Sequence, residues 1–443
     1  ASDVYKRQYV YCAECGRFLA DRYVEGVCPF CSYHNARGDQ CDECGRPLDA
    51  LELGDPKCKT CGGTPEVRET EHFFLDLGKL REPLDAYAHA HEDVWRANVY
   101  QFTRNLLDET LRGRAITRDI KWGIDVPVEG YEDKVIYVWF DAVIGYMSAT
   151  KEWAAAEGAP DAWREWWEDK DVKSFYFIGK DNIVFHTVIW PAILMGYGGD
   201  RLTLPYDVVS TEFLTMEGRQ FSGSRGYAIW LPDYLERYDA DPLRFYLCVN
   251  APETRDSDFS WSEFVRRNND ELVAKWGNFV NRVLSFSYKH FEGIVPEPGE
   301  LSPEDNELLA KVDDTFVKVG ELIAARRFKD SIRELMALWD VANVWIDKAA
   351  PWKVIKVDRE RAATTLWTAF QAICGMKTLS VPYMPNTAQK CHELLGLSGQ
   401  AAEGAWRRDE VSARQEFPKP SPLFVKLDES VIAQEIEKMQ RVD

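Results

Sequence analysis

Eight of the eleven cysteines stand in four CxxC pairs near the start of the chain: Cys12/Cys15, Cys28/Cys31, Cys41/Cys44 and Cys58/Cys61. A CxxC turn aims two thiolates at one point, and two such turns complete a tetrahedral S₄ set suited to Zn²⁺, so four turns imply two ions. Gly and Pro close to the pairs fit tight, knuckle-like loops. Disulfides are the competing chemistry, but they belong to small exported domains, and no export signal is visible. Closed Cys₄ sites fold a region rather than react, so both ions are expected to be structural. Spacing alone leaves the pairing of the four turns open, interleaved arrangements included.

Two later stretches could hold a ligand. IYVWFDAVIGYM (Ile136–Met147) and FYFIGKDNIVFH (Phe175–His186) each begin with β-branched and aromatic residues typical of a buried strand, then break at Asp, Gly or Asn. Open α/β sheets bind ligands at the carboxyl ends of such strands. Strands are expected over Val135–Trp139, Ser174–Ile178 and near Asp207–Ser210, with helices from Ile144 and over Val184–Met195 between them. That alternation implies a parallel, doubly wound sheet. Upstream, Glu71–Leu77 reads as a strand, Leu84–Arg112 as largely helical and Ile116–Pro127 as a polar connection.

Beyond the segment Asp239–Phe264 the period changes to 3.6. Leu272, Trp276, Phe279, Val283 and Phe286 form an apolar stripe, while Lys275, Asn278 and Arg282 share another face. Ser302-Pro303 is a helix start, and helices are expected over Phe328–Lys348, Arg359–Leu379 and Pro385–Leu395. The tail from Ala401, with Pro418, Pro420 and Pro422, reads as an extended strap ending in a short charged helix from Glu429. The limits expected are 1–80 for the cysteine insertion, 81–238 for half of a Rossmann-like domain and 239–268 for a linking segment. A helical bundle over 269–400 and the strap over 401–443 complete them.

The chain has 443 residues and a formal charge of −19, so its average field repels phosphate and excludes indiscriminate coating of nucleic acid, though not a local basic site. No run of about 18 apolar residues occurs, so no membrane span is expected and cytoplasm is the default.

The two ligand-binding stretches resemble WxDAxIGY and FIGKDxxxFH, core patterns of the methionyl-tRNA synthetase family of class I aminoacyl-tRNA synthetases, and the likeness continues almost to the end of the chain. The fold implied is α/β: a doubly wound parallel (Rossmann-like) sheet with a zinc-knuckle insertion, followed by an all-α anticodon-binding bundle. The insertion is too short for the large editing domain of the valine, isoleucine and leucine enzymes. By the same resemblance Trp139, Ala142, Tyr146 and His186 line a pocket for methionine, whose polarizable thioether suits aromatic walls. Val143 stands where many members carry Pro, and Asn182 where some carry an aliphatic residue. Gly179, Lys180 and Asp181 are implied to hold the adenosine of ATP.

EGRQFSGSRG (Glu217–Gly226) resembles the KMSKS loop, with Ser222, Ser224 and Arg225 implied in catalysis and Gly223 beside ATP. Gln220 and Gly223 occupy positions where the pattern has lysines. Losing one donor of that kind costs on the order of 10²–10³ in rate, and Arg219 and Arg225 are candidate replacements. Asn278, Arg282 and Trp352 are implied to read a CAU anticodon, since amide, guanidinium and indole groups suit unpaired bases. The resemblance also implies Cys28, Cys31, Cys41 and Cys44 on one Zn²⁺ and Cys12, Cys15, Cys58 and Cys61 on the other, with Mg²⁺ accompanying ATP.

The expected activity is ATP-dependent attachment of methionine to methionine tRNA through methionyl-adenylate. ASDVYKRQ lacks an initiator Met and no histidine lies in an HxGH pattern, so the chain is expected to be a fragment without its amino-terminal half-site, and inactive as such. The alternative is a non-catalytic tRNA-binding protein derived from a synthetase.

Overall fold

Long alternating strands at Ser2–Cys12 and Glu66–Leu75 form an antiparallel ribbon, in register from Ser2↔Leu75 to Tyr11↔Glu66, that carries the cysteine turns between its two arms. The computed structural model describes residues 2–39, 41, 43–44, 46, 48–108, 111, 113–120, 122–221 and 226–440, and divides into two compact units, Ala1–Thr211 and Glu212–Asp443. Arg17–Phe18 and Arg114–Ala115 flank the ribbon as edge strands. Between its arms, Val24–Val27 pairs with Ala36–Arg37 and Gly54–Cys58 around Val10, Leu19, Val24, Ala36 and Leu53.

The root of the ribbon is a buried polar network. The Asp119 carboxylate accepts from His72 Nε2 (3.2 Å), from the Thr70 hydroxyl (3.1 Å) and from Lys134 Nζ. With the His72 proton on Nε2, Nδ1 accepts from the Thr117 hydroxyl (2.9 Å), whose oxygen takes the Phe73 N–H (3.2 Å). Burial lowers the His72 pKa, so this ring is neutral and the charges that face each other are Asp119 and Lys134.

The stretch Val135–Trp139 departs from expectation. Only Val135–Ile136 is a strand, antiparallel to Thr117–Arg118 and Ile124–Asp125, which places two strands inside the presumed polar connection. From Tyr137 the chain turns helical over Val138–Asp141, with Phe140 N–H donating to the Tyr137 carbonyl (2.8 Å). A short apolar run cannot distinguish a strand from a helical turn, and here ladder partners reach two residues only. A 3₁₀ turn over Ala142–Ile144 then leads into helix Gly145–Ala156.

The parallel pairing is present in Phe175–Gly179 beside Asp207–Thr211, with Tyr176 opposite Val208 and Ile178 opposite Ser210. The first of these strands is not buried on both faces: Tyr176 is 7% exposed, whereas Phe175 and Phe177 are 42% and 59% exposed. Strict alternation in a strand sends odd and even residues to opposite faces, so an all-apolar run need not mean burial on both. After the strand come a Lys180–Asn182 turn, a wide turn over Phe185–Ile189 and helix Trp190–Gly198. Helices Arg81–Ala90 and Ala97–Asp108 cover the pair through Leu84, Tyr87, Val99 and Leu107 against Ile183, Val188 and Val208.

The second unit opens with a small sheet in which Leu214–Met216 pairs with Arg219–Gln220 and runs parallel to Ser257–Phe259. Helical segments Trp261–Arg267, Asn268–Gly277 and Asn278–His290 follow one another, then helices Pro303–Ala324, Phe328–Ala349, Arg359–Ser380 and Pro385–Leu394. The expected stripe faces this core: Leu272, Trp276, Phe279 and Val283 are buried and Phe286 packs against them. Ser302 and Asp305 form a reciprocal capping box with Pro303 in the first turn.

The tail beyond Glu403 runs without regular structure until helix Ser430–Gln440. It is tied down by polar clamps. Gln371 exchanges two hydrogen bonds with the backbone of Val411, and the indole N–H of Trp406 donates to the Phe316 carbonyl. Lys377, with no solvent exposure, pairs with Asp409 and donates to His392 Nδ1 (3.2 Å). Removing one partner of a buried pair leaves an uncompensated charge, which costs about 3–5 kcal/mol when both groups are sealed. Asp409 keeps some contact with solvent. Asp409→Ala should therefore destabilise the helical unit by about 2–3 kcal/mol in chemical denaturation, and Lys377→Met added to it should restore part of the loss.

Candidate active site and metal centres

The eight knuckle cysteines gather into two groups, Cys12, Cys15, Cys58 and Cys61, and Cys28, Cys31, Cys41 and Cys44, with all ligand atoms of a group within 4.8 Å of one another. Sγ separations are 3.4 Å for Cys12–Cys61, 3.8 Å for Cys15–Cys58, 3.9 Å for Cys28–Cys44 and 3.6 Å for Cys31–Cys41. A tetrahedron with metal–sulfur bonds of about 2.3 Å has edges of about 3.8 Å, so both groups match a four-thiolate cation site. The grouping is nested, one pair of turns inside the other, rather than interleaved. Burial pushes the Cys28 thiol up, but backbone N–H groups of Cys31 and Phe30 outweigh it and bring the thiol to about 7. Cys58 is brought to about 7 in the same way by Cys61 and Thr60.

Helix Gly145–Ala156 and the wide turn Phe185–Ile189 bring Tyr146 and His186 together. The Tyr146 hydroxyl lies 2.8 Å from His186 Nε2, and His186 Nδ1 lies 2.9 Å from the Asn182 carbonyl. A carbonyl only accepts, so Nδ1 carries the proton and Nε2 accepts from Tyr146. Burial lowers the His186 pKa, which leaves the ring neutral near pH 7. The Trp139 ring lies 6.0 Å from that of Phe185, the neighbour of His186, and Ala142 is exposed between Trp139 and Tyr146 in sequence.

Gly179, Lys180 and Asp181 follow directly at the strand's carboxyl end. A side chain at Gly179 would meet Asp181 Oδ1 at 2.8 Å, so only glycine leaves that carboxylate its place. Asp181 is exposed, and its Oδ1 accepts from the Asn182 amide (3.3 Å).

In the second unit the hairpin Leu214–Gln220 turns at Glu217 and Gly218, both with positive φ. It delivers the chain to Ser222, Gly223, Ser224 and Arg225, which lie outside the described residues. The Tyr227 hydroxyl, on the far side of that segment, donates back to the Met216 carbonyl (2.8 Å). On the helical bundle, the Arg282 guanidinium lies 4.3 Å from the Trp352 ring centre and donates to Asp347 (2.6 Å), while Asn278 sits exposed one helical turn earlier.

Comparison with known proteins decides the family. The family profile for class I tRNA synthetases of the M type matches residues 3–284, and that for the anticodon binding domain of methionyl tRNA ligase matches residues 295–441. The chain belongs to the methionyl-tRNA ligase family.

Among relatives of this family, the methionine–tRNA ligase of Thermomicrobium roseum is 49% identical over 97% of this chain and 78% of its own length. That of Chloroflexus aggregans is 48% identical over 99% of this chain and 81% of its own length. In fold, the chain is similar to Mycobacterium tuberculosis methionyl-tRNA synthetase bound by methionyl-adenylate, with a TM-score of 0.75 at 24% identity over 96% of this chain and 77% of that one.

Several residues around Trp139, Tyr146 and His186 escape motif reading. Arg22, from the cysteine module, lies 4.9 Å from the Trp139 ring centre, and the two share the wall of a cavity of about 840 Å³ with Arg17, Trp122 and Tyr137. Tyr176 and Trp190 stand behind Tyr146 and His186. Only contact in three dimensions reveals Arg22, whereas Trp190 follows His186 by one helical turn and was in principle legible.

Each cysteine group should take up one thiophilic cation. Cys58→Ser should cut the metal content of purified protein from two ions per chain to one, read by atomic emission, while a metal-free folded protein would remove the structural role.

Proposed function

We infer that the protein is an ATP-dependent ligase that joins methionine to methionine tRNA through methionyl-adenylate, for translation initiation and elongation. The observation that carries this reading is the neutral Tyr146–His186 pair, in which His186 stands on the helical turn that follows a GKD turn at a strand's carboxyl end and Tyr146 reaches it from helix Gly145–Ala156. A site for a thioether needs polarizable walls and no fixed charge, and both ring nitrogens of His186 are already engaged without one.

On this reading Trp139, Ala142, Tyr146 and His186 line the methionine side chain, and Gly179, Lys180 and Asp181 hold the adenosine. The methionine carboxylate attacks the α-phosphorus and pyrophosphate leaves, so the rate depends on donors placed where negative charge develops. No side-chain base is required. Arg219 and Arg225, with Gln220, Ser222, Gly223 and Ser224, supply cationic, hydroxyl and N–H donors where other members carry two lysines. Mg²⁺ accompanies ATP and neutralises phosphate charge when bound. The two Cys₄ groups suit Zn²⁺ in a structural role: their donor set and their edges of 3.4–3.9 Å match it, and no free ligand position remains for chemistry.

Transfer of the methionyl group to the terminal ribose requires the correct tRNA. Asn278, Arg282 and Trp352 read its CAU anticodon, with the indole as a stacking platform and Arg282 already held against it. We assign 1–80 to the insertion, 81–238 to the catalytic half-domain, 239–268 to the link, 269–400 to the anticodon bundle and 401–443 to the strap. Among the described residues no helix is long and apolar enough to cross a membrane, and the proposed place of work is the cytoplasm.

The deciding measurement is methionine-dependent ATP–pyrophosphate exchange in the full-length protein, with leucine and isoleucine as controls. Exchange with methionine alone is expected. Its absence in a folded, metal-loaded protein would move the reading to a tRNA-binding protein without activation chemistry. Trp352→Ala should lower tRNA charging roughly tenfold through loss of base stacking, and an equal fall in exchange would remove the anticodon role.

A further inference from the structure

Tyr146 reaches its hydrogen bond from an unprotected position. The side chain is 42% exposed on the first turn of helix Gly145–Ala156, so packing borders only part of its ring. His186 is held independently, because its Nδ1–H is spent on the Asn182 carbonyl of its own segment. The 2.8 Å hydrogen bond between the two rings therefore depends on what packs against Tyr146.

Tyr176 supplies that support. Its ring stands 5.0 Å from Tyr146 at 81° and 5.5 Å from His186 at 54°, while Tyr146 and His186 are 5.6 Å apart at 60°. The three rings thus close a triangle, and edge-to-face contacts of this kind favour one orientation over others. Among the described residues, Tyr176 and His186 are the two ring partners of Tyr146. Tyr176 in turn is anchored at its far end, where its hydroxyl accepts from the Trp190 indole N–H (3.0 Å), and Trp190 is 1% exposed against the edge of Trp167 (5.8 Å).

We propose that Tyr176 is a positioning residue of the methionine pocket: its ring, pinned by Trp190, holds the Tyr146 hydroxyl on His186 in the orientation that receives the methionine side chain. The inference rests on the reading of Tyr146 and His186 as pocket residues. Tyr176 lies beside them, on the buried face of strand Phe175–Gly179, and acts on methionine through them. Its effect therefore falls on methionine affinity rather than on ATP or on the chemical step.

The test is steady-state ATP–pyrophosphate exchange in the full-length protein. Tyr176→Leu removes the ring and should raise the methionine KM about tenfold, the scale of two lost ring pairs, with the ATP KM and kcat changed by less than about twofold. Tyr176→Phe keeps the ring and should stay within about threefold of the parent. An unchanged methionine KM in Tyr176→Leu, or a Phe variant as impaired as the Leu variant, overturns the proposal. A general packing defect is separated by a double-mutant cycle. In a Tyr146→Phe background, where no hydroxyl needs holding, Tyr176→Leu should add little to the methionine KM, and full additivity overturns the positioning role. Should Tyr176→Leu fold poorly, Trp190→Phe provides the second route. It removes the N–H that pins Tyr176 and should raise the methionine KM about threefold, and no rise overturns the anchoring. Tyr146→Phe and His186→Ala alone separate the two levels. If neither raises the methionine KM, the pocket reading itself fails, whereas a rise in both with none in Tyr176→Leu defeats Tyr176 only.

Discussion

Four thiol groups within 4.8 Å of one another are the constraint on which the first unit depends. As anions they repel, and as neutral thiols they offer only weak hydrogen bonds, so neither state alone holds the module between Cys12 and Cys58 in place. Its apolar core is small, little more than Val10, Leu19, Val24, Ala36, Ala50 and Leu53 beside the cysteines themselves. A region with so little to bury folds only with help, and a cation bound by four thiolates is the help these distances fit. The consequence is carried along the ribbon. Cys12 ends one strand of it and Cys58 closes the sheet inside it, so the group of Cys12, Cys15, Cys58 and Cys61 ties the ribbon's far end to that inner sheet.

That end reaches the site. Arg22 leaves the module to lie over Trp139, and it is steadied by Asp39 at 3.2 Å. Arg118 lies 4.7 Å from the Tyr137 ring centre and 3.4 Å from Asp21. Beneath them the Asp119 carboxylate gathers His72, Thr70 and Lys134, which ties the ribbon to the small sheet that precedes Tyr137. Stabilisation from the half-exposed Arg22 contacts is modest, about 1 kcal/mol or less each. Their value lies in direction: they set the angle of the helical turn that begins at Val138 and carries Trp139.

Much of this was legible in the sequence, and the failures have physical causes. The cysteine groups were legible because CxxC turns are local; spacing left their grouping open, the family resemblance implied the nested one, and the structure gathers the thiols in that way. The parallel pairing of Phe175–Gly179 with Asp207–Thr211 followed from β-branched and aromatic runs separated by a helix. Val135–Trp139 was read as a strand throughout, although only Val135–Ile136 is one, because a short run of Val, Ile, Tyr and Trp satisfies both a strand and a tight helical turn, and ladder partners lie elsewhere in the chain. Arg22 was invisible for a different reason: nothing in its own neighbourhood marks it, since its partner Trp139 lies more than a hundred positions away. Tyr176 falls inside the stretch that was singled out, but its contact with Tyr146 on another helix is visible only in the fold. The helical bundle was the most legible part, because 3.6-residue periodicity and the Ser302-Pro303 start are written locally.

The electrostatics of the second unit set how RNA can be recognised there. A chain with a formal charge of −19 has no broad field to draw in a polyanion, so recognition must come from a few placed groups. Arg282 is already occupied: Asp347 holds it at 2.6 Å while Trp352 lies under its plane. On the anticodon reading, an incoming base must exchange with Asp347 for the guanidinium, and an RNA that offers the wrong edge gains nothing to offset that exchange. Lys275 is held in the same way by Asp340 at 2.7 Å, on the same stretch of helix. Each cation is thus pre-oriented by a carboxylate that also repels any phosphate arriving without the right base. On the anticodon reading the arrangement gives up affinity and gains discrimination between RNAs.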